Sequence, residues 1–232
     1  MGGRFLSRFL TKQEILLYLI FIIKMEVYVK QLKRDFNHLM LLSDDFYGSL
    51  SRYLFLKRKK KGEVIKALGQ KGSYSRYLCK GLIGVYKIEK ETEYLLYVFK
   101  ETDLIHDWIS YACCKKSSIE IKAISEVLYL EFSLLDLKCM LAKHPEIIHL
   151  LLLLNHRIQV RIYQQVDILR KGIKEGLPFF CKAYSGIELH LSYQDWASLF
   201  SSSIRTVGRV LSKHTLGYRI PKEIPEQETL IF

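Results

Sequence analysis

Between residues 146 and 174 the apolar positions Ile147, Leu151, Leu154, Ile158, Ile162, Val166, Leu169 and Ile173 recur at spacings of 4, 3, 4, 4, 4, 3 and 4. That is the period of one helix face. At about 1.5 Å per residue it predicts a helix some 40 Å long, longer than most helices of globular proteins. Pro145 stands where the first turn of such a helix tolerates proline. Two coverings of the seam are open: the same seam of a second copy, which would make the chain a homodimer, or the chain's own preceding domain. Leu150, Leu152 and Leu153 make the first turns apolar all round, so each covering can hold at a different end. Gly172, Gly176 and Pro178 are expected to break the helix and to mark a domain boundary near 172–178.

Upstream the period is different. From Val27 to Leu56 apolar residues fall at helical spacing (Leu32, Phe36, Leu39, Met40, Phe46, Leu50, Leu54), and Ser43 precedes Asp44-Asp45 as an N-cap precedes an acidic first turn, so two short helices are predicted. The run Lys57–Lys61 reads as a solvated turn. After it come short apolar or alternating stretches punctuated by Gly62, Gly69, Gly72 and Gly81, continuing to Val127–Phe132. They predict a compact barrel or roll of seven or eight strands over 57–133. Leu134, Leu137 and Leu141 then give a short helix. Residues 1–24 carry Arg4, Arg8 and Lys12 before an apolar run from Ile15 to Ile23, nine residues where a membrane span needs about 20. No small-residue cleavage site follows. The segment therefore reads as an extension upstream of a domain that starts at Met25.

Charge narrows the partner class. The 232 residues include 36 Lys and Arg against 24 Asp and Glu, a net charge of +12, which points to a polyanion: nucleic acid or an anionic membrane surface. The five cysteines, Cys79, Cys113, Cys114, Cys139 and Cys181, lack metal-site or cluster spacing and read as buried thiols in a reducing cytoplasm. No nucleophile elbow, nucleotide loop, His-Glu-x-x-His or paired-carboxylate arrangement occurs, so enzymatic chemistry is disfavoured and no catalytic residue or metal site is expected.

The segment from Leu191 to Leu211 reads as helix, turn, helix. Ser192 caps the first helix, Trp196, Ala197 and Phe200 form its inner face, and Ala197 is small enough for a second helix to cross closely. Ser201-Ser202-Ser203 is the turn. A second helix over 203–214 would bury Val207, Val210 and Leu211 and leave Arg205, Thr206, Arg209 and Lys213 outside. Five Lys or Arg and no acid lie between Ser201 and Lys222. The major groove of DNA admits a helix with such a face.

Ser192, Asp195, Ala197, Ser203, Thr206, Val207, Gly208, Arg209 and Leu211 match the helix-turn-helix pattern of the cyclic-AMP receptor protein/FNR (Crp/Fnr) family of bacterial transcription regulators, which the sequence resembles over about 45–232. The resemblance implies an α+β fold: a β-roll (jelly roll) like cyclic-nucleotide-binding domains over 25–145, a long dimerisation helix and hinge over 146–176, and a winged helix-turn-helix over 177–232. It implies a homodimer on palindromic double-stranded DNA, with RNA polymerase as a further partner. Arg205 and Arg209 would read bases, while Ser192, Ser203, Thr206 and Lys213 would hold phosphates. Gly217–Ile220 and Leu230–Phe232 would form the wing, around an acidic loop with Glu223, Glu226 and Glu228.

Three departures qualify what the resemblance implies. Ser201 stands where the family has glycine in the turn, at a cost of about 1 kcal/mol if the backbone there is left-handed. Ile204 and Arg205 replace the family's Arg-Glu, so base preference should differ. In relatives that bind cyclic nucleotides, a Gly-Glu pair and a later Arg-Ser or Arg-Thr hold the phosphate; here those positions read His106-Asp107 and Ser117-Ser118. Without the arginine, a cyclic nucleotide would lose a charge-assisted contact worth on the order of 2–3 kcal/mol. Cyclic AMP is thus disfavoured unless Lys115 or Lys116 swings in, and a retuned or empty effector pocket is expected. His106 reads as a structural residue rather than a haem ligand, and no iron–sulfur cluster is expected.

Overall fold

The computed structural model describes residues 12–216. Among them the glycine-punctuated stretches form eight strands: β1 (Phe55–Lys59), β2 (Val64–Lys66), β3 (Tyr74–Lys80), β4 (Ile83–Glu89), β5 (Thr92–Phe99), β6 (Leu104–Ile105), β7 (Ile119–Ala123) and β8 (Val127–Ser133). They pair antiparallel in two four-stranded sheets, ordered β1-β8-β3-β6 and β2-β7-β4-β5. Leu78, Ile83, Val85, Phe99, Ile105, Ile121, Ala123, Val127 and Tyr129 fill the space between the sheets. At the β3–β4 turn Gly81 has φ +93°, and a Cβ there would lie 2.3 Å from the Glu126 carbonyl oxygen, so only glycine fits.

β3 and β8 are apolar on both faces because helices cover the outside of their sheet. Leu78 points into the roll, while its neighbours Tyr77 and Cys79 join Leu130 in a second core with the helices. These are α1 (Lys12–Leu39), α2 (Asp44–Ser51), α4 (Leu134–Lys143) and the start of α5 (Ile147–Arg170). The Ser43 cap forms as its position predicts, accepting a hydrogen bond from the Phe46 N–H at 3.1 Å. The expected pair of short helices does not: α1 runs for 28 residues, through the expected boundary at residue 24. Lys57–Lys59 lie in β1, not in a turn, as a charged edge strand whose Arg58 pairs with Glu126 at 2.9 Å.

The long helix exists, but its break is simpler than expected. Only Gly172, at φ +71°, interrupts it; α6 (Gly172–Ala183) contains both Gly176 and Pro178. A Cβ on Gly176 would meet the Ile168 carbonyl oxygen at 2.5 Å and the Phe200 ring at 2.7 Å, so this glycine serves close packing rather than a break. The first half of the predicted seam of α5 faces inward, while Ile162 and Val166 stay partly exposed. Ile147 and Leu154 are buried with α1 and α2, and Leu151 and Ile158 pack against that cluster. Ile168 and Leu169 meet α6 and its surroundings. No described helix is long and apolar enough to cross a membrane.

Candidate nucleic-acid interface and effector pocket

Two helices at the end of the described chain, α7 (Tyr193–Leu199) and α8 (Ile204–Leu216), are joined by a short turn. The start of α7 is a reciprocal cap: Ser192 Oγ accepts from the Asp195 N–H at 3.1 Å, and the Asp195 carboxylate accepts from the Ser192 N–H at 2.9 Å. Ser203 does the same work for α8, accepting from the Thr206 N–H at 3.1 Å. In the turn Ser201 is left-handed, with φ +47°, so the strain foreseen at that position is present. The Ser202 N–H donates to the Ala197 carbonyl oxygen at 2.9 Å, which draws the turn back onto α7.

The inner faces assemble as the apolar spacing predicts. Trp196 and Val207 are fully buried, Ala197 and Phe200 nearly so, and Val210 and Leu211 pack at the margin. The Trp196 and Phe200 rings stack at 6.0 Å, and Phe180 of α6 meets both edge-on. With this face fixed, Arg205, Arg209 and Lys213 stand on the opposite, exposed face at intervals of four. They form one row about 12 Å long. Ser203 and Thr206 meet at its N-terminal end, their hydroxyls 2.9 Å apart.

Ser192 is set apart from this row. Its hydroxyl also donates to Asp195 at 2.6 Å, and it borders a cleft shared with Lys61, Tyr86, Glu93 and Lys122 of the roll. α7 is docked on the exposed edge of β5, where the Leu95 N–H donates to Ser198 Oγ at 3.1 Å. The predicted wing residues lie outside the described part of the chain.

The residues expected in an effector pocket divide. Asp107 and Ser117 come together, but around a cation of the chain itself: Lys66 Nζ lies 2.7 Å from Asp107 Oδ2, with both side chains at 5% exposure or less. Ser117 donates its hydroxyl to the same carboxylate, and the Ser110 N–H donates to Asp107 at 3.1 Å, capping α3 (Trp108–Ala112). Burial acts to raise the Asp107 pKa; the bonds from Lys66, Ser117 and Ser110 outweigh it and hold the carboxyl below its usual value. Ser118 is exposed and stands apart from this cluster. Burial lowers the pKa of His106, against the opposing charge of Asp107, and so favours neutral imidazole. Tyr97 and Phe99 pack edge to face at 4.7 Å beside the core that fills the roll.

Lys66 escapes a reading of the sequence because the ladder between β2 and β7 shifts register between Val64 and Lys66. The shift leaves Val64 exposed and turns the lysine inward, against simple alternation. A second missed set lies on α5. Arg157 grips Asp35 with both guanidinium nitrogens at 2.9 and 3.0 Å, and Arg161 pairs with Asp103. Gln165 donates to the Val98 carbonyl oxygen at 3.2 Å and accepts from the Val98 N–H at 3.3 Å. The spacing of four that joins these three was legible, but not that a polar row would face inward.

The cysteine reading needs correction. Cys79 and Cys181 are buried, and desolvation pushes each thiol up to about 12, but Cys113, Cys114 and Cys139 are exposed. Among the described residues no group of His, Cys, Asp or Glu could hold a metal ion.

No protein-family model and no curated protein matches the sequence. Solved structures do match the fold. The c-di-GMP-responsive global regulator CLP of Xanthomonas campestris aligns over 75% of this chain and 92% of its own, with a TM-score of 0.57 and 14% identity. FixK2 of Bradyrhizobium japonicum aligns over 72% and 89%, with a TM-score of 0.56 and 13% identity. A regulator assigned to the crp/fnr family from Eubacterium rectale aligns over 75% and 84%, at 0.55 and 18%. In fold, this chain resembles the regulators of the Crp/Fnr family.

Proposed function

We propose that the chain is a DNA-binding transcription regulator of Crp/Fnr type, acting as a homodimer on a palindromic site. The observation that carries this reading is the row Arg205, Arg209, Lys213 on the free face of a helix whose other face is locked in an aromatic core. A guanidinium pairs bidentately with guanine O6 and N7, so Arg205 and Arg209 read bases while Lys213, Ser203 and Thr206 contact phosphates. Ser192 requires α7 to present its N-terminus to the backbone. In this reading 25–145 is the sensing domain, 146–176 carries the dimer helix and hinge, 177–232 reads DNA, and RNA polymerase is the partner.

We read the dimer seam from what α5 leaves outside. With Ile147, Leu151, Leu154 and Ile158 turned inward, α5 presents Ile148, Leu152, Asn155, Gln159 and Tyr163 outward, and Ile148, Leu152 and Tyr163 are each more than half exposed. Spacings of 4, 3, 4 and 4 keep them on one face, and a polar residue in such a seam sets register. The Lys66–Asp107 pair supports a sensor that takes no cyclic nucleotide, because the chain's own carboxylate already occupies the buried cation.

Selection of bound duplexes from a random DNA pool at about 0.15 M salt tests the reading. A two-fold symmetric motif with half-sites one helical turn apart is expected, and Arg209→Ala should lose about 1–3 kcal/mol at one base position. If only salt-sensitive binding without a motif is recovered, with and without cell extract, the chain is a sensor or scaffold whose DNA-reading unit has decayed.

A further inference from the structure

A second concave site lies on the outside of the roll, where the loop before β3 meets α3 and the start of α4. It is a cleft of about 460 Å³ lined by Lys71, Ser73, Tyr111, Cys114, Ser133 and Lys138, with Leu134 and Leu135 as an apolar wall and no carboxylate in its lining. The volume is in the range that small-molecule sites occupy.

Its charge is unbalanced. Lys71 and Lys138 line the cleft, and Lys71 faces Lys116 across an antiparallel bridge. All three are exposed, and among the described residues none has an ion-pair partner. Like charges directly opposite in a β-pair destabilise it, so this arrangement has a cost that an anion between the lysines would remove. The buried acid nearby is committed elsewhere: Asp107 binds Lys66, Ser110 and Ser117.

The walls are held in place before any ligand arrives. The Gly69 N–H donates to the Ser117 carbonyl oxygen at 3.0 Å, and the Ser117 N–H returns a bond to Gln70 at 3.1 Å. Ser110 Oγ accepts from the Gly72 N–H at 2.9 Å and donates to the Lys115 carbonyl oxygen. The Leu134 N–H donates to the Ser73 carbonyl oxygen at 2.9 Å, which fixes α4 to the same loop. A rigid cleft loses little entropy when it is filled.

We propose that this cleft binds a phosphate-bearing small molecule of about nucleotide size, the phosphate between Lys71, Lys116 and Lys138 and the organic part against Leu134 and Leu135. A concave site of this size suits a small anion better than the convex backbone of a duplex. The site is separate from the Lys66–Asp107 pair and does not depend on the DNA-binding reading.

Titration calorimetry of the full chain with inorganic pyrophosphate tests the anion end of the site. One molecule per chain is expected, and Lys71→Gln with Lys138→Gln should weaken binding at least tenfold. Lys57→Gln with Lys60→Gln, which removes the same charge elsewhere, should change it less than twofold. Pyrophosphate should also slow maleimide addition at Cys114, which lines the cleft, relative to the exposed Cys139 in the same sample. This footprint needs no variant to fold. Equal losses in the two double variants, no heat of binding, or unchanged Cys114 labelling would overturn the proposal. So would displacement of pyrophosphate by duplex DNA that depends on Lys71 and Lys138, since the cluster would then be a DNA contact.

Discussion

Ser201 and Lys66 show how much one residue's surroundings decide. A serine at φ +47° is strained for lack of the freedom that glycine has. Ser201→Gly should therefore raise stability by about 1 kcal/mol, read as a higher Tm. Lys66 is the opposite case, a buried cation that is stable only with its partner. Lys66→Met should cost about 3–5 kcal/mol in urea unfolding, because it strands a buried carboxylate. The pair also sets a pH dependence. The folded pKa of Asp107 lies below its ordinary value of 3.8. The stabilisation is thus fully present above that value and is lost as pH falls through the lowered one. Urea midpoints between pH 7 and pH 3 should fall in the wild type and change less in Lys66→Met. The positive charge of α8, the caps Ser43, Ser192 and Ser203, and the strain at Ser201 could all be named from the sequence, because each depends only on local backbone. The Lys66–Asp107 pair could not, because it spans 41 positions and depends on a register shift.

At the scale of elements, α5 carries three different faces. One apolar face joins the helical core, a polar row of Arg157, Arg161 and Gln165 grips α1 and the end of β5, and an outward apolar face is left uncovered. Leu152→Glu with Tyr163→Glu should abolish dimerisation in sedimentation experiments while leaving far-ultraviolet circular dichroism unchanged, since neither residue is buried in the single chain. Arg157→Ala should act in reverse, lowering Tm without affecting association, because it breaks a paired contact inside one chain. Periodicity located this helix to within a few residues. It did not say which of its two apolar rows would face home, since both rows have helical spacing and only the partners of Arg157 and Gln165 orient the helix.

In the whole molecule, the roll and the terminal helices share one core. Leu82, Tyr86, Leu95 and Val98 of the β4–β5 region are continuous with Leu177 and Phe180 of α6 and with Trp196, Phe200 and Val207. The N–H of Leu95 in β5 is satisfied by Ser198 of α7, and Lys100 donates to the Ala183 carbonyl oxygen at 3.0 Å. Cooperative units follow contiguous cores, so calorimetry at low protein concentration should show a single unfolding transition rather than separate ones for roll and helix pair. Phe180→Ala, at the centre of this core, should cost about 3–5 kcal/mol and lower that transition as a whole. A transition that splits in two would mean that the contact surface is weaker than its burial implies.

The sequence by itself determined the helix–roll–helix order, the number of strands in the roll, the caps, and the polar and apolar faces of α7 and α8. Each of these follows from periodicity or from local hydrogen bonding within a few residues. Tertiary structure decided the rest. It turned the first half of the predicted seam of α5 inward, kept Gly176 and Pro178 inside a helix, joined Asp107 to a lysine instead of leaving it to a ligand, and brought Lys71 and Lys138 to one cleft with Lys116 paired to Lys71. These are contacts between segments distant in the chain. Their energies depend on which surfaces compete for burial and which charges lose water together, and no window of neighbouring residues contains that information.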